Sequence, residues 1–187
     1  MRITGGIHRG RLLKAPPTGL RPTQDRVRSA LFSALATVVP GARVLDLFSG
    51  TGSLGLEAWS RGAEAVDFVE SAAPTLRMLK ANIAALRMPP AVGRVIPADV
   101  FRFLDGPPRS PHAPYRIILA DPPYAIAREH RYMARIATLL AAAGWLESPA
   151  FFVFETEGRD PLEALPSFDL ALDREYGATR LLVWRHA

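Results

Sequence analysis

No cysteine occurs among the 187 residues. Disulfides, zinc–thiolate centres and thiol nucleophiles are therefore excluded. Lysine is nearly absent: Lys14 and Lys80 stand against 21 arginines. With Ala and Pro abundant, that preference matches a genomic composition bias. Long apolar runs are also missing. The longest uncharged stretch, Ser29 to Ala42, is interrupted by Pro40-Gly41 and falls short of the ~20 residues a membrane span needs. The opening Met1-Arg2-Ile3-Thr4-Gly5-Gly6 lacks the apolar core of a signal peptide. A soluble cytoplasmic protein is expected. His8, His112, His130 and His186 are scattered without ligand spacing, so no metal site is expected and each is read as surface or structural.

Acidic charge is scarce in one place. From Met1 to Arg28 a single acid, Asp25, faces seven bases, so this stretch carries +6 and the remainder −1. Composition bias explains arginine over lysine but not this segregation. A polyanion reached through the N-terminus is expected.

The length suggests one domain with a small appendage, large enough to bury ~70% of its unfolded surface without staples. Arg2 to Gly5 and Arg11 to Lys14 read as two short strands of a hairpin. Pro16, Pro17, Gly19 and Pro22 mark a linker. Thr23 reads as the N-cap of a helix from Gln24 to about Val38, with Val27, Leu31, Leu35 and Val38 on its apolar face and Arg26 and Arg28 off it. Strands and helices then alternate. Strands are expected at Arg43 to Leu47, Ala65 to Val69, Arg94 to Ile96, Arg116 to Ala120, Ala150 to Phe154, Asp169 to Arg174 and Thr179 to Trp184. Helices are expected at Leu54 to Ser60, Pro74 to Leu86 and around Met133, Ile136, Ala137 and Leu140. This alternation implies parallel βαβ units. Only Tyr176-Gly177 separates the last two strands, which should pair antiparallel. The division expected is residues 1–40 as a basic hairpin-and-helix extension and 41–187 as the main domain.

Chemistry concentrates where Tyr115-Arg116-Ile117-Ile118-Leu119-Ala120, an apolar run typical of a strand buried on both faces, meets Asp121-Pro122-Pro123-Tyr124. The prolines cannot continue a ladder, so the backbone leaves the sheet. A carboxylate, stiffened carbonyls and an aromatic ring are thereby held at a strand's carboxyl end, where open parallel sheets bind ligands. A planar amine suits them: Asp121 and the Pro122 carbonyl can each accept one N–H, and Tyr124 can stack on the ring.

A second edge lies at Asp46-Leu47-Phe48-Ser49-Gly50-Thr51-Gly52-Ser53-Leu54-Gly55. Gly50, Gly52 and Gly55 form Gly-x-Gly-x-x-Gly, a pattern that also serves dinucleotide pyrophosphates. Leu56 stands where a P-loop needs lysine. Asp46 would repel a pyrophosphate but suits a cation, and S-adenosylmethionine carries a sulfonium, an ammonium and a ribose without phosphate. Glu70, ending the second strand, can accept ribose hydroxyls, and Asp99, after the third, can meet an adenine amino group. If the first and fourth strands are neighbours across a switch point, donor and acceptor edges meet. Other sp² amines, adenine N6 or a glutamine amide, fit the Asp121 motif equally. A nucleotide-dependent oxidoreductase is disfavoured by Asp46, and a non-catalytic RNA-binding module would not need four strand-end acids.

These motifs resemble the RsmD family, class I methyltransferases that modify the exocyclic N2 of a guanine in bacterial 16S rRNA. The resemblance rests on Arg2-Ile3-Thr4-Gly5-Gly6 with Gly10-Arg11, Arg21-Pro22-Thr23-Gln24-Asp25-Arg26-Val27-Arg28-Ser29-Ala30-Leu31-Phe32, Asp46 to Ala58 with Arg61-Gly62-Ala63, Asp121 to Tyr124, and Tyr176-Gly177-Ala178-Thr179. Ser49 and Thr51 replace equally small residues, and Ala125-Ile126-Ala127-Arg128 lacks the Lys or Gly often found after the motif. The resemblance implies a monomeric Rossmann-like α/β fold with a mostly parallel seven-stranded sheet whose last strand is antiparallel. It implies S-adenosylmethionine as cofactor and an assembled or nearly assembled small ribosomal subunit as substrate. The residues expected to act are Asp121, Pro122 and Tyr124 in catalysis, and Asp46, Phe48, Gly50, Gly52, Glu70 and Asp99 on the cofactor. Arg2, Arg9, Arg11, Arg21, Arg26 and Arg28 are expected on RNA.

Overall fold

The computed structural model describes residues 1–15, 22–158 and 160–187. The elements run α1 (Pro22–Ala34), β1 (Arg43–Leu47), α2 (Ser53–Ser60), β2 (Ala65–Glu70), α3 (Ala73–Leu86), β3 (Gly93–Pro97), α4 (Val100–Leu104), β4 (Tyr115–Ala120), α5 (Tyr124–Glu129), α6 (Tyr132–Ala142), β5 (Leu146–Glu157), β6 (Asp169–Tyr176) and β7 (Thr179–His186). Seven strands make one sheet in the order β3-β2-β1-β4-β5-β7-β6. Strands β1 to β5 pair in parallel, and β7 lies antiparallel between β5 and β6.

The apolar runs of β1 and β4 follow from helices on both faces. Val44 and Ile117 pack with Phe32, Leu56 and Leu79 on one side. One residue on, Leu45 and Ile118 pack with Leu104, Ile136 and Leu140 on the other. Strands β1 and β4 are adjacent, Leu47 opposite Ala120. The chain therefore winds outward in opposite directions from this pair, leaving a crevice beyond their carboxyl ends.

The N-terminal segment forms a single antiparallel bridge, Arg2 with Leu12, rather than two strands. Ile3 N–H donates to the Arg11 carbonyl at 2.9 Å, and Gly10 N–H donates to that of Ile3 at 2.9 Å. Its tip abuts the end of α2, where Ile7 N–H donates to the Ser60 carbonyl at 2.8 Å. Gly6 is required there: its φ is 76°, and a Cβ would sit 1.7 Å from that oxygen. Ile3 and Leu13 share one core with Leu31, Phe32 and Val44, so the extension is fused to the sheet.

Helix α1 begins at Pro22, earlier than expected, which puts Thr23 inside the first turn, and it ends at Ala34 rather than Val38. Turns continue to Pro40-Gly41, with Val39 N–H donating to Leu35 at 3.0 Å. The linker residues Pro16, Pro17 and Gly19 lie outside the described residues. Among the described residues no helix is long and apolar enough to cross a membrane.

Candidate active site

A cavity of about 730 Å³ opens over the carboxyl ends of the central strands. Four carboxylates line it, Glu70, Asp99, Asp121 and Glu155, with Phe48, Tyr124 and Tyr132 as aromatic walls. None of its lining residues is Lys, Arg or His. Strand β4 delivers Asp121. Pro122 and Pro123 end the strand, and α5 starts at Tyr124 with Pro123 at its N-cap, a place where a missing N–H leaves no helix bond unmade.

Of the expected cofactor residues, Phe48, Gly50, Glu70 and Asp99 line this cavity, as do Asp121, Pro122 and Tyr124. Asp46 and Gly52 do not. Asp46 is buried beneath the glycine loop, where its Oδ2 accepts the Gly55 N–H at 2.9 Å. Glycine is required at 55, since a Cβ would lie 2.4 Å from Phe68 and 2.8 Å from that carboxylate oxygen. Gly52 starts α2 in the left-handed region. Glu70 ties the loop to β2, accepting Gly50 N–H at 2.9 Å and Ala72 N–H at 2.7 Å. A carboxylate offers about four acceptor positions, so hydroxyls can still be bound. Asp99 Oδ1 caps α4 by accepting from Phe101 and Arg102 N–H, both at 3.0 Å, leaving its second oxygen for a ligand. Asn82 was not anticipated. From α3 it donates to the Thr51 carbonyl at 2.9 Å and to that of Lys14 at 3.0 Å, so it joins the loop to the N-terminal segment.

Burial pushes the Asp46 carboxyl up to about 7 from 3.8, against the Gly55 N–H and with help from the Glu70 charge. Folding therefore takes up a proton between these values. The stability this contributes is full below about pH 4 and is lost as pH rises through about 7. Stability of the unliganded protein should fall over that window, and Asp46→Asn should flatten the fall. Denaturant unfolding from pH 4 to 8 checks this, and equal slopes in both proteins would refute it.

Asp121 and Glu155 follow Ala120 and Phe154, which are opposite in the β4–β5 register, so two acids stand side by side. Burial first, then Glu155, then Asp46 push the Asp121 carboxyl well above its ordinary range. Burial also raises Glu155, opposed by a hydrogen bond from Tyr124 and by the Arg28 charge. The Tyr124 hydroxyl donates to Glu155 Oε1 at 2.7 Å and lies 3.2 Å from Thr179 Oγ1. Sequence reading missed Glu155 because β5 was expected to stop at Phe154. The rule that acids end the strands at this edge would have found it.

The expected RNA contacts divide. Arg2, Arg9, Arg11 and Arg26 are exposed, and an open groove of about 470 Å³ runs past Arg2, Arg9 and Arg26. Arg21 lies outside the described residues. Arg28 is corrected: it is 3% exposed and cannot face a polyanion. Its guanidinium is consumed by Asp25 at 2.7 Å, by Glu57 at 3.3 Å and by the Arg2 carbonyl. Among the described residues no group of His, Asp or Glu is arranged to hold a metal ion.

A sheet wound outward from β1 and β4, with a reversed strand inserted beside β5 and an acid-and-glycine crevice above the central pair, defines the class I methyltransferases. Comparison with known proteins narrows the class. A family model described as Conserved hypothetical protein 95 matches residues 1–185. The Ribosomal RNA small subunit methyltransferase D of Escherichia coli (strain K12) is 37% identical over 176 residues, 94% of this chain and 83% of that one. Its namesake from Haemophilus influenzae is 35% identical over 179 residues, 95% and 89% of the two chains. The solved structure of yhhF from Escherichia coli superposes with a TM-score of 0.85 at 34% identity, covering 100% of this chain and 97% of that one. The chain belongs to this family, the RsmD methyltransferases.

Proposed function

We propose that this enzyme transfers a methyl group from S-adenosylmethionine to the exocyclic N2 amine of a guanine in 16S rRNA. It acts as a cytoplasmic monomer on an assembled or nearly assembled small subunit. One observation carries the reading: the cavity at the β1–β4 edge is walled by four carboxylates and aromatic rings without one basic side chain, while exposed arginines lie on the N-terminal segment and α1. A pyrophosphate would meet only repulsion inside. A ligand bearing sulfonium, ammonium and ribose meets acids suited to each. The family relatives named for small-subunit rRNA support the substrate. Residues 1–40 serve in this reading as the RNA-facing extension and 41–187 as the methyl-transfer domain.

Glu70 has acceptor capacity for the ribose hydroxyls, Asp99 for an adenine amine, and Phe48 adds an aromatic ring to the same wall. Bound S-adenosylmethionine supplies a methyl group made electrophilic by its sulfonium. The guanine N2 lone pair is delocalised into its ring and nucleophilically weak. Asp121 and the Pro122 carbonyl, each accepting one N–H, turn that lone pair out of conjugation. Positioning of this kind supplies ~7–11 kcal/mol of barrier reduction. A cation in the cavity favours ionised Asp121, offsetting the raised proton affinity of the empty site. The base leaves its stack to enter, and Tyr124 returns ~1–3 kcal/mol by stacking. The amine proton leaves to Asp121 or to water.

Small subunits from cells lacking the endogenous enzyme should gain one methylated guanine N2 on incubation with protein and donor, mapped by nucleoside analysis. Methylation of adenine N6 instead, or of no RNA, overturns the reading. Thermal shift with S-adenosylhomocysteine and not with NADH should accompany it. Replacing Arg9, Arg11 and Arg26 by glutamine should weaken RNA binding. It should also reduce the slope of log K against log salt by about 0.7 for each phosphate of a single strand that is no longer neutralised. An unchanged slope removes the arginines from the interface.

A further inference from the structure

Outside the residues assigned above, Glu155 draws attention because it is a carboxylate half-buried beside another carboxylate. Taking a charge out of water without a partner is costly, and Glu155 makes no ion pair within 4.0 Å among the described residues; its nearest hydrogen-bond partner is the neutral Tyr124 hydroxyl at 2.7 Å. Arg28 shares a small cleft with Glu155 and Asp121, yet its guanidinium is committed to Asp25 and Glu57. The Tyr124 hydroxyl and the Arg28 charge, which is shared with two other acids, offset only part of the burial, so an acid is more costly there than leucine or glutamine.

We infer that Glu155 is a positioning residue for methyl transfer: it anchors the Tyr124 ring by the hydroxyl and places a second carboxylate beside Asp121 from the neighbouring strand. The inference rests on the proposed amine methylation at Asp121. Tyr124 follows two prolines and opens a six-residue helix, so its backbone is held while its ring can still turn about two side-chain torsions. The bonds to Glu155 and Thr179 fix the far end. A wall already oriented for a flat base loses less freedom when the base arrives. The second effect is electrostatic. Transfer would break the C–S bond with its electron pair passing to sulfur while the nitrogen lone pair forms the N–C bond, and the positive charge arriving on nitrogen would be relieved when its proton leaves to Asp121 or to water. Two adjacent carboxylates at the nitrogen end, with none of the lining residues basic, favour that movement. The groups facing Asp121 from the packed elements are Glu155 on β5, Asp46 on β1, Tyr124 on α5 and Arg28 on α1. Of these, Glu155 is the acid in the cavity wall beside it.

The test compares Glu155→Ala, Glu155→Gln, Tyr124→Phe and the Glu155→Ala/Tyr124→Phe double variant. Single-turnover methylation of small subunits is measured across pH, and S-adenosylhomocysteine affinity by calorimetry. Glu155→Ala should slow transfer about 10- to 100-fold, the scale of a misplaced reacting group, with inhibitor affinity unchanged. Loss in the double variant should fall short of the product of the single losses, because one bond is removed twice. Glu155→Gln keeps the acceptor and should restore part of the rate while moving the acid limb of the profile to lower pH. Carbon NMR of the Asp121 carboxyl in the unliganded protein should show its titration moved to lower pH in Glu155→Gln. Wild-type rates in Glu155→Ala, multiplicative losses in the double variant, or an unmoved Asp121 titration each overturn the inference. If the wild type methylates no rRNA, the proposed substrate fails, and the NMR titration still decides the role of Glu155.

Discussion

Asp121→Ala should lower the single-turnover rate of methyl transfer by about 10²–10⁴-fold, the range typical of a positioned proton-transfer group, while S-adenosylhomocysteine affinity stays within a few fold. Asp121 stands at the acceptor side of the crevice, after β4, whereas the proposed cofactor contacts come from the loop after β1 and from the ends of β2 and β3. Loss of rate and loss of cofactor binding should therefore separate. A second signature accompanies the first. Burial, Glu155 and Asp46 all act against an ionised Asp121, so its removal relieves crowding of like charges. Near neutral pH the alanine variant should unfold at the same or higher denaturant concentration than the wild type. A residue kept at some cost in stability is one kept for chemistry. Turnover near the wild-type rate removes Asp121 from the reaction, and a large drop in stability would make it a structural acid.

Glu57→Ala should destabilise the fold by about 3–5 kcal/mol, the cost of breaking a buried ion pair from one side, or roughly 6–20 °C in melting temperature for a chain of this size. Glu57 is fully buried on α2. Its oxygens accept Thr4 N–H and Thr4 Oγ1, each at 2.7 Å, Arg61 Nε at 2.7 Å and Arg28 Nε at 3.3 Å. Alanine leaves the Thr4 amide unpaired and Arg28 short of charge in the interior. The effect should be local as well as global: amide exchange in residues 2–13 should accelerate more than in β1 or β4, because Thr4 ties that segment to Glu57. A melting temperature within a degree or two of the wild type would show the cluster to be dispensable.

The parts of the fold legible in the sequence were those where one local rule decides. Val44 to Leu47 and Tyr115 to Ala120 are apolar apart from Asp46 and Arg116, so their burial was readable, and Pro122-Pro123 marked where β4 must leave the sheet. Helices α4 and α5, of five and six residues, are too short to show a period of 3.6, and neither was expected from the sequence. Charge counting mistook Arg28 for a surface residue. Its partner Glu57 is 29 positions away, and a tally of charge along the chain holds no information about such pairing. Asn82 escaped for the same reason: an amide on a helix has no distinguishing spacing until Lys14 and Thr51 are brought against it. At the site, three of the four strand-end acids read from local pattern, Glu70, Asp99 and Asp121, line the crevice, whereas Asp46 is buried beneath the loop. Glu155 depended on knowing how far β5 extends, and its length is set by pairing with β7 through Glu157 opposite Thr179, a pairing remote in sequence.

The Glu57 cluster joins the segment bearing Arg2, Arg9 and Arg11 to the helix that follows the glycine loop, and Gly6 lies too close to Ser60 to allow sliding. The arginines are thus held at a set span from the crevice. On the proposed reading the enzyme would work as a caliper: a nucleotide would be reached only when the backbone bound by the arginines lies at the matching separation, and bases elsewhere on the same surface would stay out of range.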